Sequence, residues 1–115
     1  MGMVDEGTRV NFGEGTAQRE DDSSKTRPDL ISPLAYLKLG EWARDGGKKY
    51  GDWNYIKGMP YSRYVASIFR HLLKWQAGDR TEEHLSAIAW NALALSHHEI
   101  VGDGEKWNDL PNFKK

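Results

Sequence analysis

The chain contains no cysteine. That absence excludes disulfide staples, thiolate metal sites and cysteine nucleophiles together, and it fits a reducing compartment. There is no apolar run long enough to cross a bilayer and no stretch resembling a secretory leader, so the expectation is a cytoplasmic protein with no membrane partner. Net charge is also nearly absent, with 16 Lys and Arg against 17 Asp and Glu. Long nucleic acid finds no general attraction on such a chain, and any anion site must be a local arrangement. The phosphate loop GxxxxGK[ST], the dinucleotide fingerprint, the GxSxG elbow and an adjacent His-Asp pair are all missing. A covalent mechanism is therefore not expected, and for an enzyme the best remaining match is attack of metal-activated water on phosphorus.

What is present fits one domain of 115 residues. Residues 1–25 have few large apolar side chains and no helical or strand period, and they read as a mobile or ligand-ordered arm. A first helix is predicted from Ser32-Pro33, with Leu34, Leu37 and Trp42 inward and Gly46-Gly47 as its end. A second runs from Pro60-Tyr61-Ser62 to about Gln76, with Val65, Ile68, Phe69, Leu72 and Trp75 on one face. The third is capped by Thr81, carries Glu82 and Glu83 in its first turn, and takes Leu85, Ile88, Ala92 and Leu95 as core positions. His84, Asn91 and His98 recur every seven residues down one flank of it. The fold class is all-α: a small helical bundle over 26–102, preceded by the arm and followed by a polar tail, 103–115, with aromatic punctuation. Five tryptophans in so short a chain serve a core, a subunit interface or a stacked ligand.

Between the first two helices lies GGKKYGDWNYIKG, residues 46–58. Its glycines allow close approach, Lys48 and Lys49 offer charge for phosphate, and Tyr50 or Trp53 can stack on a base whose edge Asn54 reads. That mixture suits an anionic aromatic ligand such as a nucleotide; a solvated interhelical loop is the plain alternative. The second and third helices, joined by a short connection, should be antiparallel, which brings His71 and His84 to one end with Asp79, Glu82 and Glu83. Imidazoles and carboxylates together suit a divalent metal, or else form a hydrogen-bonded histidine pair at a helix junction. Asn91, mid-helix among apolar residues, either fixes a register or reaches a base or metal. His97-His98-Glu99 reads as structural or interfacial.

In series, Arg27-Pro-Asp-Leu-Ile-Ser-Pro33, Gly46-Gly-Lys-Lys-Tyr-Gly51, Arg70-His-Leu-Leu73 and His84-Leu-Ser-Ala-Ile-Ala-Trp-Asn-Ala-Leu-Ala-Leu95 resemble a phage-associated family of dATP/dGTP diphosphohydrolases. That family is related to the MazG-like all-α nucleotide pyrophosphohydrolases and includes MazZ-like proteins. The resemblance covers about Arg19 to Glu99. It implies an oligomeric helical enzyme, in the host cytoplasm if phage-encoded, that converts a purine (deoxy)nucleoside triphosphate to monophosphate and pyrophosphate with Mg²⁺ or Mn²⁺. MazG-like enzymes hold their metal with an acidic quartet, EExxE on one helix and ExxD on the next, and no such quartet can be written here. The candidate metal ligands are then Glu82, Glu83 and His84, with Glu41 in reserve, and Glu83, His84 and His71 are the candidate catalytic groups. Lys48, Lys49 and Arg70 would hold phosphates, while Tyr50, Trp53, Asn54 and Asn91 would contact the base. The competing expectation is a non-catalytic sponge that sequesters a nucleotide or cyclic-nucleotide signal; a small oligomer without a nucleotide role is the third.

Overall fold

Ser32 and Pro33 start the first helix as their chemistry dictates. In a computed structural model of the chain, which describes residues 8–11, 13–21 and 23–114, the Ser32 hydroxyl accepts from the Ala35 amide at 3.2 Å and Pro33 occupies the first turn. The helix, α1, spans Pro33–Tyr50, one turn beyond the expected end at Gly46-Gly47. Interior glycine weakens a helix by about 1 kcal/mol but does not break its ladder. The terminator is Gly51, at φ +93°, whose amide donates to the Gly47 carbonyl at 2.8 Å. Lys48 and Lys49 consequently belong to the last helical turn, where cations favour the negative end of the dipole.

Helix α2 spans Tyr61–Gln76 and lacks a local side-chain cap. The C-terminal segment supplies one. Asp109 Oδ1 accepts from the Ser62 amide at 2.9 Å and Oδ2 from the Ser62 hydroxyl at 2.5 Å. These bonds hold the Asp109 carboxyl below its ordinary range. A depressed folded-state pKa contributes stability that is full above the unfolded value, near about 4, and is lost as pH falls through the folded one. Asp109→Asn should therefore lower Tm at neutral pH, and its deficit against the wild type should shrink as thermal melts are taken below about pH 4.

Helix α3 spans His84–Val101 and starts later than the Thr81 cap predicts. The Thr81 amide and hydroxyl both donate to Asp79 Oδ1, at 2.9 and 2.7 Å, so that hydroxyl is committed to a turn and Glu83 takes the cap position. Packed on both α1 and α2, α3 is the central element. Its contacts with α2 run antiparallel, as expected: His71 meets His84, Ser67 meets Asn91 and Tyr64 lies against His98.

The core differs from the expected one. Leu85 and Ala92 are exposed and Ile88 and Leu95 half-buried, while His84, Ala87, Asn91, Ala94 and His98 are buried. The helix is apolar almost all round, so periodicity alone does not reveal which face turns inward. Small and hydrogen-bonded residues face the neighbours, where Tyr61, Tyr64 and Ala94 form the packed centre with Tyr55, Leu95 and Trp107 beside it. A short helix α4, Gly104–Trp107, brings the Trp107 indole against Gly58. Gly58 has φ +80°, and a Cβ there would collide with that ring.

The chain forms two compact units, Met1–Ile31 and Ser32–Lys115. Within the first, β1 (Thr8–Asn11) and β2 (Gln18–Asp21) pair antiparallel, Thr8 opposite Asp21 and Asn11 opposite Gln18. The sequence reading expected no strand here. The pairing follows a turn in which Gly13 and Gly15 take positive φ, so turn chemistry rather than alternation organises it. A 3-10 turn, Pro28–Leu30, follows, with Arg27 donating twice to Asp29 at 2.9 and 2.8 Å. The expected arm begins at residues 1–7, which lie outside the described residues. Among the described residues no helix is long and apolar enough to cross a membrane.

Candidate functional site

The segment linking α1 to α2 must reverse the chain within ten residues, Gly51–Pro60, and glycine makes this possible at Gly51 and Gly58. Trp53 also takes φ +63°, an uncommon conformation for a bulky side chain and a strain held by its surroundings. Between them the Asn54–Lys57 3-10 turn is tied to α3. His98, fully buried, donates from Nε2 to the Tyr55 carbonyl and from Nδ1 to Asp103 Oδ2, both at 2.8 Å. Both ring nitrogens face oxygen acceptors, so His98 ties this wall to α3 and to Asp103.

The wall encloses a cleft of about 360 Å³. Tyr50, Trp53, Asn54 and Asn91, four residues expected to contact a base, all line it. Gly46 and Gly47 form part of another side, with Trp90 and Tyr55 completing the aromatic lining. Asn91 donates from Nδ2 to the Ala87 carbonyl at 2.8 Å and to Ser67 Oγ at 3.3 Å; Oδ1 has no partner among the described residues. The expected phosphate contacts lie elsewhere. Lys48 and Arg70 are exposed and do not line the cleft, and Lys49 sits with Nζ 5.2 Å from the centre of the Tyr50 ring. Residue type alone pointed to Tyr50, Trp53 and Asn54; Trp90 and Tyr55 were not singled out for a ligand, because an aromatic on a core helix or short turn carries no distinguishing signal.

A second constellation lies at the junction of α2 and α3. His84 is buried and its Nε2 donates to Asp79 Oδ2 at 2.9 Å. In the neutral tautomer that this bond selects, Nδ1 of His84 carries the lone pair that His71 Nδ1 faces at 2.8 Å. Glu82 joins them: one donor atom from each of His71, Glu82 and His84 lies within 4.8 Å of the others. Burial holds His71 below the usual imidazole range, with the Glu82 carboxylate opposing that shift. Bonds from the Thr81 backbone and side chain, then from His84, hold Asp79 well below the carboxylate range. The Trp42 ring packs edge-on against His71, centres 5.9 Å apart.

Glu83 stands apart from this group. Its Oε1 lies 3.6 Å from Lys38 Nζ, which also approaches Glu41 Oε2 at 3.5 Å. The acidic residues named as metal candidates thus divide, Glu82 with the histidines and Glu83 and Glu41 around Lys38. Two imidazoles and one carboxylate make a nitrogen-rich donor set. Mg²⁺ favours six oxygens, whereas Mn²⁺ and its heavier neighbours accept imidazole. Of the two expected ions, Mn²⁺ lies nearer than Mg²⁺ to the later first-row metals that such a nitrogen-rich set favours.

His84 and Asn91 lie on the same buried stripe of α3, seven residues apart, a rise of about 10 Å. That separation is comparable with the reach from base to phosphates in a nucleoside triphosphate. The family model described as dATP/dGTP diphosphohydrolase, N-terminal, matches residues 15–108. No curated protein and no solved structure matches the chain.

Proposed function

We propose, since this chain belongs to the dATP/dGTP diphosphohydrolase N-terminal family, that it hydrolyses purine (deoxy)nucleoside triphosphates to monophosphate and pyrophosphate. The observation that carries this reading is the convergence of Tyr50, Trp53, Asn54 and Asn91 on one cleft, with His71, Glu82 and His84 two turns away along α3. Aromatic rings hold a purine by stacking, the Asn54 amide offers donor and acceptor to its edge, and Asn91, whose Nδ2 is committed to Ala87 and Ser67, offers its Oδ1 as an acceptor. The triphosphate then extends toward the histidines, which hold water for attack on phosphorus. Lys48, Lys49 and Arg70, exposed and outside the cleft lining, contribute only long-range attraction for the anion.

One observation favours a second reading, the sponge. Among the described residues no carboxylate or histidine lines the cleft, so a nucleotide or cyclic nucleotide lodged wholly within it meets none of these groups to activate water. The test is to incubate the purified chain with individual dNTPs, NTPs and cyclic nucleotides, with and without Mg²⁺ or Mn²⁺. Pyrophosphate release supports hydrolysis, and intact ligand recovered after denaturation supports the sponge. Neither retention nor cleavage would remove both.

Self-association belongs to the same proposal. Leu85, Leu93 and Ile100 on α3 are each more than half exposed, a pattern that fits a homo-oligomer. Light scattering should return a multiple of 13.1 kDa, and Leu93→Glu should lower that multiple; a wild-type monomer would sink this part of the reading.

A further inference from the structure

We propose that His71, Glu82 and His84 form a transition-metal site, oriented by Asp79, that takes Mn²⁺, Co²⁺ or Zn²⁺ in preference to Mg²⁺. The inference deepens the hydrolytic reading of this end of the molecule and rests on it for its purpose, though the donor geometry stands by itself.

The argument starts from a constraint on protons. His84 has one ring proton when neutral, and the Asp79 carboxylate 2.9 Å from Nε2 fixes it there. Nδ1 of His84 is therefore a lone pair held inside the protein, with His84 only 1% exposed. A carboxylate bound to one imidazole nitrogen while the other faces a second ligand is the arrangement that orients histidine toward a metal. The facing atom, His71 Nδ1, lies 2.8 Å away. Between two neutral imidazoles at this distance, one proton bridges the two nitrogens. Moving that proton to His71 Nε2 leaves His71 neutral and turns both Nδ1 atoms into donors, with no proton gained or lost. Two bonds of about 2.1 Å at a near-tetrahedral angle separate their nitrogens by roughly 3.4 Å, so the rings need part by only about half an ångström. His71 is the partner free to do so, being half-buried at the end of α2, whereas His84 is held by Asp79.

Glu82 supplies the third donor and the negative charge that a dication needs beside two neutral imidazoles. It precedes α3, in the bend after Thr81, which Asp79 fixes through two hydrogen bonds. The same carboxylate thus orients His84 and shapes the segment that presents Glu82. Three protein ligands leave room for water, as an open rather than a closed site does. A set with two nitrogen donors and one carboxylate selects by softness: Mn²⁺, Co²⁺ and Zn²⁺ accept it, while Mg²⁺ parts reluctantly with its oxygen shell.

The test uses the untagged full chain, stripped with a chelator and titrated with Co²⁺, Zn²⁺ and Mg²⁺ separately. One Co²⁺ per chain with visible absorption bands is expected, together with a Kd for Zn²⁺ at least about 100-fold below that for Mg²⁺. His71→Ala and Glu82→Gln, each checked for wild-type circular dichroism, should lose the cobalt bands. Asp79→Asn should weaken binding by about 10- to 100-fold. Absence of Co²⁺ binding, unchanged bands in folded His71→Ala, or equal affinity for Mg²⁺ would overturn the proposal. Nucleotide cleavage is assayed in parallel. Cobalt bound without cleavage counts against the hydrolase reading and upholds this site, whereas cleavage with Mg²⁺ by a chain that binds no Co²⁺ does the reverse.

Discussion

Gly46→Phe should cut nucleotide affinity by about 100-fold or more while leaving the protein folded. Gly46 belongs to α1 and lines the cleft, and beyond its chain neighbours and its own helix's backbone nothing lies within 4 Å of where its Cβ would stand. A side chain there therefore enters open space beside Tyr50, Trp53 and Asn54 and competes with whatever the cleft holds. Stacking of a base on an aromatic ring is worth about 1–3 kcal/mol, so displacing the base from those rings is enough for the expected loss. Gly46→Ala is the control. Alanine in a helix interior is favoured over glycine by about 0.5–1 kcal/mol, so that variant should melt at the wild-type temperature or above it and keep its affinity. Calorimetric titration with dATP and dGTP, beside thermal melts, reads both effects. Full affinity in a folded Gly46→Phe variant would place the nucleotide outside this cleft.

The same glycine shows what the sequence can and cannot display. Residue type announced a ligand-like stretch, because lysine, tyrosine, tryptophan and asparagine among glycines have few uses beyond binding or turning. Helix phase, however, decides which of them share a surface. Reading Gly46-Gly47 as a helix end placed Lys48 and Lys49 in a loop beside Tyr50. With α1 continuing to Tyr50, successive residues point about 100° apart, and Tyr50 lines the cleft while both lysines do not.

A similar limit applies at the histidine junction. The short connection between α2 and α3 was enough to bring His71 and His84 to one end, since antiparallel neighbours leave little choice. Which of two adjacent glutamates joins them depends on the bend at Asp79 and Thr81, and that bend exists because Thr81 donates to Asp79 instead of capping α3. The inward face of α3 was hidden for another reason. Leucine and isoleucine surround the helix, so the buried histidines and Asn91 looked like one flank until their partners, Asp79, Ser67, Asp103 and the Tyr55 carbonyl, could be seen. The hairpin of residues 8–21 had no hydrophobic alternation to reveal it.

His71→Ala should lower turnover by about 10²- to 10⁴-fold, the range for losing a group that positions or activates the attacking water, with nucleotide affinity changed by only a few-fold. Affinity is spared because His71 does not line the cleft in which the base is held. A loss in kcat with little change in Kd identifies an interaction made in the transition state rather than in ground-state binding. Its choice over His84 follows from burial. His84 is fully packed and hydrogen-bonded at both nitrogens, so truncating it would strand Asp79 and confuse stability with chemistry. His71 is half-buried, and its loss leaves the His84–Asp79 pair in place. The adjacent glutamates sharpen the test: Glu82→Gln should follow His71→Ala, while Glu83→Gln, whose carboxylate sits with Lys38, should lose several-fold less. Wild-type turnover in folded His71→Ala would detach the histidine junction from hydrolysis and leave the cleft as a binding site alone.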